Sequence, residues 1–176
     1  MTSRIAIGAA AAVMFVQVTG AAFAAEDDPW TEANGRIEAS RIIVSCLASM
    51  SSSEPQHAKA RCIDEPIAVC ADRHAGNEVT LGECTGFARE AWRERLRQQI
   101  ARMRAAAGPL ARDFDDSQDR WRAWTERECI FQAAPAEGGS LRGELWNTCD
   151  FTHSAQRALE LEALANEWEA HPPSRR

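Results

Sequence analysis

Six cysteines, Cys46, Cys62, Cys70, Cys84, Cys129 and Cys149, constrain this chain more than any other feature, because a turn signal lies within each of three successive pairs. Ser51-Ser52-Ser53-Glu54-Pro55 falls midway between Cys46 and Cys62, and Gly76-Asn77 midway between Cys70 and Cys84. Pro135-Ala136-Glu137-Gly138-Gly139 does the same between Cys129 and Cys149. Each pair then faces itself across a helical hairpin, where the Cα separation of about 5.5 Å that a disulfide needs is easiest to reach. The expected bridges are Cys46–Cys62, Cys70–Cys84 and Cys129–Cys149. Each closes a loop of comparable length, worth on the order of 3 kcal/mol through entropy removed from the unfolded chain. The successive gaps of 16, 8, 14, 45 and 20 residues contain no C-x-x-C pair. That spacing argues against a zinc site and against a thioredoxin-like redox centre.

Disulfides persist in oxidising compartments, and the N-terminus reads accordingly. Arg4 precedes an apolar run from Ile5 to Val18, and Ala22-Phe23-Ala24 fits the small-x-small cleavage pattern. The run is shorter than the roughly 20 strongly apolar residues of a membrane span. Residues 1–24 are therefore expected to be a cleaved export signal. The product would be periplasmic or secreted, with no stable membrane insertion after cleavage. Removing Arg4 from the 20 basic residues leaves 19 against 26 acidic ones, a net charge of −7. Nucleic acid needs a basic footprint and is excluded as a partner on this balance. A basic protein is permitted, since opposite charge attracts at long range.

The rest of the chain reads as helices separated by breakers. Residues 25–30 form a loose start, and a first helix runs over about 31–50 with Ile37, Ile42, Val44, Cys46, Leu47 and Met50 as its apolar positions. A second follows Pro55 to about Asp72, with a kink or split expected at Pro66. Thr80, with Glu83 completing a capping box, starts a third that carries Trp92, Leu96, Ile100 and Met103. Gly108-Pro109 ends it. A fourth helix to about Ala133 places Leu110, Phe114, Trp121, Trp124, Glu128 and Phe131 on one stripe, read as a buried face. Ser140 caps the last helix, with Leu141, Leu145, Cys149, Leu161, Leu164 and Trp168 along it and His171-Pro172-Pro173 as its stop. No stretch alternates with period two for long enough to make a strand. The expected fold class is all-α, a disulfide-stapled bundle of antiparallel helical hairpins. Residues 25–61 read as an N-terminal extension, 62–171 as the helical domain and 172–176 as a tail.

Catalytic signatures are missing. There is no Gly-x-Ser-x-Gly elbow, no phosphate loop and no cysteine left over as a nucleophile. His57, His74, His153 and His171 are scattered, without an i, i+4 pair, so neither a metal nor another cofactor is expected. Acidic residues gather at Asp113, Asp115, Asp116 and Asp119 and again at Glu160, Glu162, Glu167 and Glu169, as solvated faces do. Glu137-Gly138-Gly139-Ser140 is a turn stapled ahead of a helix N-terminus, which presents a rigid loop with free N–H groups. Asp113, Asp116 and Asp119 on one side, and Glu137, Ser140 and Arg142 on the other, are the candidate partner-binding residues.

Gln118, Trp121 and Cys129, then Gly138-Gly139-Ser140, Cys149, Arg157 and Leu161, make the C-terminal half similar to the lysozyme inhibitor LprI-like family. The likeness extends upstream through Cys70, Cys84 and Trp92, covering roughly residues 62–165. It implies a small exported helical protein without catalysis, with lysozyme or another basic envelope protein as partner. The chain departs from the family pattern in having Thr125-Glu126 where Arg-Asp is usual. It also has Arg93 and Arg97 where the pattern after Trp92 has Asp and Asn, and it contains no tyrosine. The resemblance leaves two functions open, a lysozyme inhibitor and an envelope-associated helical interaction module.

Overall fold

The structure is a computed structural model that describes residues 29–51, 54–74, 78–136 and 139–172. Among these, every regular element is a helix and there is no strand. In chain order they are α1 (Gly35–Ala48), α2 (Gln56–Lys59), α3 (Arg61–Arg73), α4 (Glu78–Ala107), a 3-10 turn (Gly108–Leu110), α5 (Ala111–Ala133) and α6 (Gly139–Ala170). Disulfides join Cys46 to Cys62, Cys70 to Cys84 and Cys129 to Cys149, with Cα separations of 5.7, 5.7 and 5.4 Å. Each ties the end of one long helix to the early turns of the next. The α4–α5 connection carries no staple and turns instead at Gly108, whose φ of 52° lies in the left-handed region that favours glycine.

α4 is the central element, about 45 Å long by the helical rise. It packs along α6 on one side and receives α1 and α3 on the other. Arg93 bonds Asp150 at 2.6 Å, Arg95 bonds Glu162 at 2.6 Å, and Arg102 clamps Glu169. Partner numbers rise together along the two helices, so α4 and α6 run parallel, with α5 antiparallel between them in sequence. The interface alternates small and large: Ala88, Ala91, Trp92, Leu96 and Met103 of α4 meet Phe151, Ala155, Ala158, Leu159, Leu161 and Ala165 of α6 in one core. Alanine at these positions lets the axes approach while the larger chains fill the flanks. The hydrogen bonds from Arg102 hold the Glu169 carboxyl below its usual range. For Arg93, burial by itself lowers the pKa, but bonding and charge from Asp150 and Glu90 outweigh it and raise the guanidinium.

Several expectations need correction. Trp30 is not part of a loose start: it is buried, its ring 6.1 Å from that of Phe87 on α4. Ala39 and Ile43 of α1 join the same core, whereas Ile37 and Val44 face solvent. α3 runs unbroken through the buried Pro66, and the interruption falls earlier, at Ala60 between α2 and α3. α4 begins at Glu78, ahead of the Thr80 cap. Gly76 and Asn77, like Ser52, Ser53, Glu137, Gly138 and the signal segment, lie outside the described residues.

The close fit of α1 on α4 has a testable edge. A Cβ at Gly35 would lie 2.6 Å from three atoms of the Phe87 ring, which also packs against Trp30 at 6.1 Å between ring centroids. Gly35→Ala gains up to about 1 kcal/mol of helix propensity, but the overpacking costs about 1–3 kcal/mol. The expected net result is a lower urea midpoint with unchanged slope.

Candidate functional site

The residues that carry the resemblance meet between α5 and α6. Arg157 donates from Nε to Gln118 Oε1 at 3.3 Å, lies 5.8 Å from the Trp121 ring centroid and pairs with Glu160 at 2.9 Å. Gln118 is buried although polar, and Leu161, one helical turn after Arg157 on α6, is fully buried. One turn on, Trp124 meets His153 edge to face at 5.0 Å, and beyond that stands the Cys129–Cys149 bridge. These three contacts set an antiparallel register that clamps α5 onto α6. Trp92, farther off, donates its Nε1 hydrogen to the Ile63 carbonyl at 3.2 Å and so ties α4 to α3. These side chains hold helices together.

The candidate partner-binding residues divide into two places. Asp113, Asp116 and Asp119 are exposed on the first half of α5, with Asp119 bonded to Arg122 at 2.6 Å and neighbouring Asp115 to Arg104 at 3.0 Å. Ser140 and Arg142 are exposed at the start of α6, and Glu137 lies outside the described residues. The two groups sit at opposite ends of α5, about 30 Å apart by the helical rise. They do not form one contact surface.

The α5 stripe is also corrected. Its buried face is Phe114, Gln118, Thr125, Cys129 and Ala133, with Trp121 partly covered. Trp124 is 50% exposed and Phe131 74% exposed, so neither belongs to the core. Leu141 and Leu145, two of the apolar positions read along the last helix, are 55% and 39% exposed. With Ile130, five of the nine exposed large hydrophobics among the described residues lie on the two arms of this one hairpin. Exposed hydrophobics scattered singly need no explanation, whereas a contiguous patch of them is what interaction sites present. Four of the five lie between the Cys129–Cys149 bridge and the turn. There α4 and α6 are separated by an open groove lined by Gly82, Gly86, Arg89, Glu144 and Asn147. α6 itself starts at Gly139 with φ 78°, a conformation that holds the turn to glycine.

The same hairpin gathers a donor group that the scattered histidines did not suggest. Cys129, Cys149 and His153 place their sulfur and nitrogen atoms within 4.8 Å of one another. The sequence signal was Cys149-x-x-x-His153, two donors on one helical face.

No helix among the described residues is long and apolar enough to cross a membrane. No curated protein and no solved structure matches the chain. The family model described as lysozyme inhibitor LprI matches residues 70–161, from the second staple through the α5–α6 clamp. That span is more than half of the 176 residues, and the chain belongs to the LprI family.

Proposed function

We propose that this chain is an exported, non-catalytic binding protein that inhibits a lysozyme by docking the turn end of the α5–α6 hairpin on it. The observation that carries this reading is the set of apolar side chains exposed on a disulfide-stapled hairpin in a member of this family. A stapled hairpin loses little conformational entropy on binding. The charge of −7 left after signal removal draws a basic enzyme in, and Asp113, Asp116 and Asp119 add to that field from the far end of α5. Glu137, Ser140 and Arg142 supply the polar rim of the contact.

The test is a bacterial-cell turbidity assay of lysozyme with the oxidised mature protein. Inhibition is expected at low salt and should weaken as ionic strength rises and screens the steering charges. Unchanged lysozyme activity at a large molar excess in low salt would overturn the reading. A second reading rests on the clamp. Because Trp92, Gln118, Trp121, Arg157 and Leu161 pack against their neighbours, the family pattern equally suits an envelope interaction module that uses the hairpin on another protein. That module would leave lysozyme untouched and be recovered with its partner from envelope extracts.

A further inference from the structure

The third disulfide differs from the other two in what surrounds it. His153 follows Cys149 by one helical turn, so both side chains project from one face of α6. A ring nitrogen lies within 4.8 Å of both sulfurs. Among the described residues this is where three His, Cys or carboxylate donors converge. Cys129 and Cys149 are buried, while His153 is half-buried and carries the Trp124 ring against it. Of the three donors, the histidine is the one that reaches solvent.

We propose that this bridge, once reduced, becomes a binding site for a thiophilic d10 metal ion, with Cys129 Sγ, Cys149 Sγ and His153 as ligands. A dithiol reductant passes two electrons to the S–S bond. The bond breaks, each sulfur takes a proton, and the reductant closes its own disulfide. The metal ion then displaces both thiol protons and binds two thiolates and the neutral imidazole. Two sulfurs on one metal at about 2.3 Å each lie no more than about 4.6 Å apart. Cysteines whose Cα atoms are 5.4 Å apart reach that spacing with little backbone movement. Two thiolates and an imidazole select soft ions over Mg2+, Ca2+ or Mn2+. Cu+ is satisfied by these three ligands alone, whereas Zn2+ takes a fourth from water, so Cu+ is the occupant the site favours.

The full mature chain, oxidised or reduced with a phosphine, is titrated anaerobically with Cu+ against a chromophoric Cu+ chelator. The ion at this site should be retained in the reduced Cys46→Ser/Cys62→Ser and Cys70→Ser/Cys84→Ser variants, lost in Cys129→Ser/Cys149→Ser and weakened at least tenfold in His153→Ala. The oxidised chain should take none here. Binding should quench tryptophan fluorescence, and the quench should shrink in Trp124→Phe. If reduction melts the hairpin, Cu+ should restore its helicity by circular dichroism in the wild type and not in His153→Ala. Equal affinity and equal restored helicity in wild type and His153→Ala would overturn the site. Preferential uptake of Zn2+ over Cu+ would overturn the choice of ion.

Discussion

Trp92→Ala is expected to lower the unfolding free energy by about 3–5 kcal/mol, the range for truncating a fully buried large aromatic. Trp92 has no solvent exposure and sits in the core formed by α1, α3, α4 and α6. Its Nε1 hydrogen goes to the Ile63 carbonyl at 3.2 Å, next to the Cys46–Cys62 staple. The variant therefore loses transfer energy, opens a cavity and deprives a buried carbonyl of a donor. For a domain of this size the melting temperature should fall by about 10 °C. That loss is comparable to or larger than the roughly 3 kcal/mol of one staple. Trp92→Phe separates the terms: it keeps most of the apolar volume and loses the hydrogen bond, worth about 0.5–1.5 kcal/mol. A shift of less than about 2 °C in Trp92→Ala would mean that the Cys70–Cys84 staple holds α3 on α4 without this side chain.

The α4 stripe was legible because its large apolar residues stand out among mostly charged ones: Trp92, Leu96 and Met103 are all buried as their spacing predicts, and Gln99 is the uncharged polar residue buried with them. α5 was misread because it inverts that contrast. Polar Gln118 and Thr125 point inward, while Trp124 and Phe131 point out. Hydrophobicity alone chooses the wrong side of such a helix. The cysteine would have chosen correctly. Cys129 must face α6 once it is bridged to Cys149, and at about 100° per residue Gln118 and Thr125 lie within about 40° of it. Phe131 lies roughly 200° around, on the opposite face. The split near Pro66 was misplaced for a different reason. Proline removes one helical donor, but a buried proline inside a stapled helix keeps its packing, and the chain breaks at Ala60 instead. The opening between α4 and α6 at the hairpin end had no sequence signal. It is formed by residues of two helices more than 50 positions apart in sequence, a juxtaposition that no local pattern encodes.

Phe131→Ser/Leu141→Ser is expected to weaken lysozyme inhibition at least about 100-fold while leaving the melting temperature nearly unchanged. Exposed apolar side chains contribute little to folding, and surface substitutions usually stay within about 0.5 kcal/mol. At an interface the same groups become anchors worth about 2 kcal/mol or more each, and each 1.4 kcal/mol is about tenfold in affinity. The effect should appear in the dissociation rate. Neutralising Asp113, Asp116 and Asp119 to asparagine should act otherwise: association slows a few-fold at low salt, the salt dependence flattens and dissociation is unaltered. The two variants thus separate contact from steering at the opposite ends of α5. If the asparagine variant abolishes inhibition and the serine variant does not, the acidic face is the contact and the apolar hairpin end serves some other partner. If both leave inhibition intact, neither the apolar hairpin end nor the acidic face makes the contact, and the proposed docking site is overturned.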